Sequence, residues 1–456
     1  MSFDILDNLS IKLIDGDRGK NYPKQSDFFD KSDCLFLSAK NVTKAGFEFT
    51  DCSFISKEKD QQLRAGKLER NDIVLTTRGT IGNSALYDSS VSISSVRINS
   101  GMIILRPDTN IWNPRFLYFL LNSDFLLQQI SALTSGSAVP QLPARDLKKF
   151  ILPRVSLDKQ HKIVEIIGSI VDKIRVSKTI NQTLEQMAQA LFKSWFVDFE
   201  PVKAKIAVLE AGGSQADATL AAMTAISGKD ADALAVFERE HPEQYAELKA
   251  TAELFPSAMQ ESELGEIPEG WRTENVENII NRLKVKNTFP ADCIKQFGQH
   301  PVLEQGAKIY QGYHDEEPSF NASLQSPMFI FGDHTCVMHL STVPFDISKN
   351  TLVLKGKGFN TYWTFFALKG KQKFQEYKRH WSDLKVKQVV IPDENNGLLL
   401  TKYFAVKCEG LFGLLEQNRK QNLILQNIRD TLLPKLLSGE IPLPEAEQAV
   451  SEVENV

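Results

Sequence analysis

Two stretches of the chain carry apolar residues at helical spacing over a length that few folded domains require. After Pro153, the positions Ile163, Ile167, Ile170, Ile174, Ile180, Leu184, Met187, Leu191 and Trp195 recur mostly every three or four residues. After Pro392, Phe404, Cys408, Leu411, Leu415, Leu425, Ile428, Leu432 and Leu436 do the same. This period predicts two helices of about 40 residues, each roughly 60 Å long. A helix of that length cannot be buried by one small domain, so each needs another long helix. The cheapest partner is its own duplicate, and heptad-like seams then give an antiparallel coiled-coil pair with pseudo-two-fold symmetry. Packing of each helix on its own domain is the simpler alternative.

The residues ahead of each long helix follow a different rule. Short β-rich runs such as DIVLTT from Asp72 and GMIILRP from Gly101 alternate with turn signals, which predicts a mixed α+β domain in each half. The halves also match one another. Laid without gaps, TLEQMAQALFKSWFVDFEP from Thr183 places Leu184, Met187, Leu191 and Pro201 on Leu425, Ile428, Leu432 and Pro442 of the stretch that begins at Ile424. DLKKFILP from Asp146 has a counterpart in DLKVKQVVIP from Asp383, and LDNLSIKL from Leu6 in VENIINRL from Val276. Three matches in the same order predict an internal duplication. The expected layout is a globular domain at 1–155, a spacer helix at 156–200, an acidic, alanine-rich helical insertion at 201–262, a second globular domain at 263–395, a second spacer helix at 396–440 and a frayed acidic tail at 441–456.

At 456 residues the chain is long enough for two or three cores. The net charge of −4 gives no basic footprint overall. Its distribution changes that picture: the first globular segment carries about +3, the second about 0 and the insertion about −5. The five cysteines form no CxxC pair and no zinc-type spacing with histidine, so no metal site is expected. Without a run of 18 apolar residues or a signal-peptide plan, the chain reads as cytoplasmic.

Catalytic signatures are missing. There is no GxxxxGK[ST] loop, no GxSxG elbow and no HExxH. An Asn-Pro-Pro-Tyr-like tetrapeptide, the mark of an amino-methylating pocket, does not occur. Gly356 and Gly358 lack the third glycine of a dinucleotide fingerprint and read as a turn. The Asp-Leu-Lys triplets at 146–148 and 383–385 read as strand starts rather than a nuclease centre.

What remains is chemistry suited to DNA. TTRGTIGN at 76–83 puts Thr76, Thr77, Arg78, Gly79 and Thr80 in one turn after a strand, where glycine permits close approach and arginine takes a guanine edge or a phosphate. SGSAVPQL at 135–142 offers Ser135, Ser137 and Gln141 to phosphate. Lys40 and Asn41 are further candidates in the first half. In the second, KGKQKFQEYKRHWSDLKVK at 369–387 interleaves Lys373, Lys378, Arg379 and His380 with Phe374, Tyr377 and Trp381. The turn FGDHT supplies Asp333, His334 and Thr335. A solvated helix face or a plain hairpin turn explains each stretch nearly as well when taken alone.

In combination, the duplicated layout, DIVLTTRGTIG, SGSAVPQL running into FILPRVSLDKQHKI, SWFVDFEP and ELGEIPEGW resemble a type I restriction-modification specificity subunit. The second half departs most, with FGDHT in place of the TTRGT turn and HWSDL in place of VPQLPARDL. The resemblance implies two target recognition domains that read the halves of a bipartite, asymmetric DNA sequence. It implies a non-catalytic chain whose helices, through Ile163, Ile167, Ile170, Ile174, Leu184, Leu191, Leu411, Leu415, Leu425 and Leu432, dock two methyltransferase subunits and, through them, motor-nuclease subunits. No cofactor is expected on this chain; S-adenosylmethionine, ATP and Mg would serve the partners. A helical scaffold that binds only proteins is the alternative, and a cryptic nuclease a third.

Overall fold

The computed structural model describes residues 2–43, 46–134, 141–285, 288–306, 308–376, 378–438 and 440–454. Ser135, Ser137 and Tyr377, all named above, lie outside the described residues. The chain divides into two compact units, one made of Met1–Arg175 with Ile424–Val456, the other of Val176–Leu423. Each unit therefore takes one end of each long helix, Leu157–Phe196 and Asn396–Ser438.

In the first unit, an antiparallel sheet runs in the order Ile11–Asp15, Met102–Pro107, Asp72–Thr76, Ser84–Tyr87. Its central strands are apolar on both faces, and the period of two divides them. Ile73, Leu75, Ile103 and Leu105 face a core shared with the helices, while Val74, Ala85, Met102 and Ile104 face a second core. That second core includes Leu35 and Val96 from a three-stranded sheet, Cys34–Phe36 lying between antiparallel Phe54–Ile55 and parallel Val96–Arg97. Ser2–Ile5 pairs with Ile151–Arg154 and so joins the start of the domain to its end.

The second unit repeats the four-stranded sheet, the three-stranded sheet and the closing ribbon of this plan. Its four-stranded sheet runs Ile280–Arg282, Thr351–Gly356, Met328–Gly332, Met338–Ser341. Its three-stranded sheet centres on His300–Leu303, antiparallel to Tyr310–His314 and parallel to Asp346–Ile347. Arg272–Asn275 pairs with Gln388–Ile391 as the closing ribbon. Phe329, Phe331 and Leu354 face the helical core, and Ile330 and Val353 the other. Even the caps correspond: Asn113 and Asn360 each open an eight-residue helix, their Oδ1 atoms accepting from the amides of Arg115 at 2.9 Å and Tyr362 at 2.9 Å. The helix Asp124–Leu133 and the ribbon of Val42–Thr43 with Gly46–Phe47 have no counterpart among the described residues of the second copy, and the ribbon of Met259–Ser262 with Gly265–Pro268 has none among those of the first.

The long helices pair within each unit. Ile163, Ile167, Ile170 and Ile174 share one core with Leu425, Leu432 and Leu436. In the other unit, Asn181 donates to the Leu415 carbonyl at 3.3 Å and accepts from Asn418, while Phe192 stacks edge-on against Phe404 at 5.7 Å. One helix advances as the other recedes, so the pair is antiparallel. Each helix also packs on globular elements, as Phe192 and Phe196 do on Trp363.

Four expectations are corrected. Ile180 and Met187 keep the helical period but lie off the seam, about half exposed, and Ala188 and Phe192 fill the positions facing the partner. The Asp-Leu-Lys triplets do not start strands. They lie on short helices, Ala144–Leu147 and Trp381–Leu384, whose tight turns reverse the chain before each closing strand. Within the tail expected to be frayed, Leu443–Glu454 is a helix that buries Ala446 and Val450, four residues apart, in the first unit's core. Finally, the apolar helix positions proposed for subunit docking are spent inside the fold. Ile163, Ile167, Ile170, Ile174, Leu184, Leu415, Leu425 and Leu432 are buried, and Leu191 and Leu411 half-buried against the second unit's core.

The insertion holds four helices, Glu200–Glu210, Gln215–Ser227, Ala231–Glu240 and Pro242–Glu253, with Ala222, Met223, Leu234 and Ala252 as a small core. Among the described residues no helix is long and apolar enough to cross a membrane.

Candidate nucleic-acid interface

The turn between Asp72–Thr76 and Ser84–Tyr87 is built from inside by its threonines. Thr76 is buried, and its hydroxyl meets the carbonyls of Thr80 and Asn83. Thr77, also buried, donates to the Gly101 carbonyl at 3.0 Å. The tip that remains, Arg78, Gly79 and Thr80, is exposed, and Gly79 has a φ of 72° that a side chain would strain. No described residue meets the Arg78 guanidinium with a hydrogen bond or ion pair.

Two neighbouring segments are held against this turn. Asn83 Nδ2 donates to the Val42 carbonyl at 3.0 Å and draws in the short helix Ala39–Asn41. Asn41 is buried, donating to the carbonyls of Glu48 and Asp51 and accepting from Ser38, so it shapes the loop rather than facing outward. Lys40 is exposed and pairs with Asp51 at 2.8 Å, a carboxylate that raises its ammonium above the usual lysine range. On the other side, Arg78 bridges to Gln141, and the Leu142 amide donates to the Thr77 carbonyl at 3.0 Å. Arg78, Gly79, Thr80, Gln141 and Lys40 are thus brought to one end of the domain.

The second unit places FGDHT at the same topological position, between Met328–Gly332 and Met338–Ser341. Here the support comes from a distance. Gln305 Oε1 accepts from the His334 amide at 3.0 Å, and the Gln305 carbonyl accepts from the Thr335 hydroxyl at 2.7 Å. Asp333 faces inward: its carbonyl accepts from the His380 amide at 2.8 Å, its Oδ1 from the Trp381 amide at 2.9 Å, and Arg379 lies 3.9 Å from Oδ2. The exposed side chain at this tip is His334.

Beside it, Lys373, Lys378 and Arg379 are exposed, Lys378 pairing with Asp383 at 2.5 Å. His380 is completely buried, so it is not a surface contact, and Trp381 is half-buried against Phe331 at 6.2 Å. In both units the segment before the short helix therefore buttresses the turn.

The model of the type I restriction modification DNA specificity domain matches residues 14–186. The HindI specificity subunit of Haemophilus influenzae is 29% identical over 93% of this chain and 98% of its own length. Residues 14–186 carry a type I restriction modification DNA specificity domain, and along most of its length the chain is similar to a type I specificity subunit. Another relative, the MjaIX specificity subunit of Methanocaldococcus jannaschii, is 24% identical over 82% of this chain and 79% of its own. A crystal structure of a type I S subunit from M. genitalium aligns with 95% of each chain at 14% identity and a TM-score of 0.43.

The matched span holds the Arg78 turn and Gln141, while the His334 turn lies outside it. Sequence reading missed Gln305, Asn83 and Gln372, the side chains that brace the turns or the basic loop. Gln305 acts 29 residues from His334, so no local spacing announces it. Asn83 stood in the quoted motif and drew no attention.

Proposed function

We propose that this specificity subunit reads a bipartite, asymmetric duplex sequence, each recognition domain taking one half. The observation that carries the reading is the repeated site: in two units of the same topology, one turn with an exposed polar tip is braced by the segment preceding a short helix. Arg78, Gly79, Thr80, Gln141 and Lys40 form the first contact set; His334, Lys373, Lys378 and Arg379 form the second. Arginine forks suit guanine, whereas a histidine tip among lysines suits phosphate and a different base edge. Different tips on a common scaffold favour different half-sites.

The chain itself performs no chemistry in this reading. It docks two methyltransferase subunits, which use S-adenosylmethionine to methylate adenine N6, and through them motor-nuclease subunits that use ATP and Mg. Since the helical seam is buried, docking uses outward positions such as Val176, Ile180 and Met187. Sequencing of modified adenines in cells that carry the complex tests the proposal, and two short half-sites separated by a fixed spacer are expected. In parallel, affinity of the assembled complex for duplex should fall steeply as salt rises. A complex that retains no duplex at any salt contradicts the reading and leaves a protein-only scaffold.

A further inference from the structure

The geometry points to Phe374 as an apolar wedge that enters the duplex at the second half-site and unstacks one base step. This rests on the DNA reading above. The Phe374 ring is 58% exposed, in a stretch whose other exposed side chains include Lys371, Lys373, Lys378 and Arg379. Removing an aromatic ring from water is favourable, so an exposed ring in a stretch with four exposed cations and one exposed carboxylate, Glu376, calls for a partner that is both polyanionic and apolar within. A DNA duplex is such a partner: the phosphates meet the lysines and the base stack offers flat apolar faces.

The ring is held in place. His380, wholly buried, lies beneath it with ring centroids 5.8 Å apart. The Gln375 amide donates to His380 Nε2 at 3.3 Å. The Gln372 side-chain amide lies 3.3 Å from Nδ1, and its Oε1 is buried without a partner. The loop from Gln372 to Gln375 is thus tied around the buried histidine. The same residue's amide fastens it to the Asp333 carbonyl, one residue from the His334 tip. A wedge needs this rigidity, because a floppy ring would lose in ordering entropy what stacking returns.

The test uses the specificity subunit assembled with its methyltransferase subunits and a duplex bearing the mapped target, with 2-aminopurine placed in turn at each position of the second half-site. The wild-type complex is expected to raise fluorescence at one step. Phe374→Ala should abolish that rise and weaken binding about tenfold, leaving melting temperature, salt slope and first half-site preference unchanged. Phe374→Leu should retain part of the signal. A complex that binds with sequence preference yet raises fluorescence nowhere overturns the wedge alone. So does Phe374→Ala with unchanged fluorescence, or a variant that loses its methyltransferase subunits on gel filtration, which would assign the ring to a protein contact. No duplex binding at all overturns the wedge together with the reading beneath it.

Discussion

In the first unit the exposed turn presents Arg78, Gly79 and Thr80, while the hydroxyls of both preceding threonines turn inward to the carbonyls of Thr80, Asn83 and Gly101. In the second, the same turn presents His334 over an aspartate whose oxygens are engaged by the backbone of the next segment. The sheets beneath share strand order, direction and two-faced burial. The contrast teaches that the duplicated pattern governs position and the tip governs chemistry. A buried alternation of apolar residues tolerates any tip that its neighbours can brace.

The largest expected effect bears on the shared scaffold. Aligned on their Asn caps, Phe116 and Trp363 are counterparts, and both are fully buried. Trp363→Ala and Phe116→Ala should each cost about 3–5 kcal/mol in denaturant unfolding, since each leaves a cavity between sheet and long helix. A loss in one unit only would break the equivalence. The next concerns the tips. Arg78→Ala should reduce discrimination at the first half-site by about 1–3 kcal/mol in competition binding and leave the second untouched.

A smaller effect separates the units by pH. In the second unit, Tyr310 and His339 Nε2 are 2.8 Å apart, and Arg419 stands over the tyrosine ring at 4.6 Å. Burial, helped by the Arg419 and Lys369 charges, pushes the histidine from its ordinary 6.5 down to about 3. The unfolded chain thus takes up a proton that the folded unit refuses. This contribution is complete above pH 6.5 and is lost progressively as pH falls toward 3. Between pH 7 and 5.5 the melting temperature should fall by on the order of 3 °C, and His339→Gln should flatten that slope. An unchanged slope would remove His339 from the account. The smallest effect is Lys40→Ala, expected to lower the salt slope of DNA binding by about one without altering site preference; a changed preference would make Lys40 a base reader.

Most of the scaffold was legible in the chain. The 3.6 period of Ile163 to Trp195 announced a helix, DIVL and MIIL announced buried strands, and ordered matches announced the duplication. Face was harder: Ile180 and Met187 fit the period yet point outward, because a run of spacings at three and four drifts around a helix. The site was half legible. Arg78 stood out as a charge beside glycine in a turn, and the buried roles of Thr76, Thr77, Asn41 and His380 did not. A polar residue that braces a loop and one that greets a ligand look alike until burial is known. Gln305 and Gln372 act through tertiary geometry that no local pattern encodes.

The central claim is that two independent readers share one scaffold. Replacing residues 1–150 with the recognition domain of another specificity subunit, then sequencing modified adenines in cells carrying the complex, tests it most directly. The account predicts a new first half-site, with the second half-site unaltered. A change in both halves would contradict it.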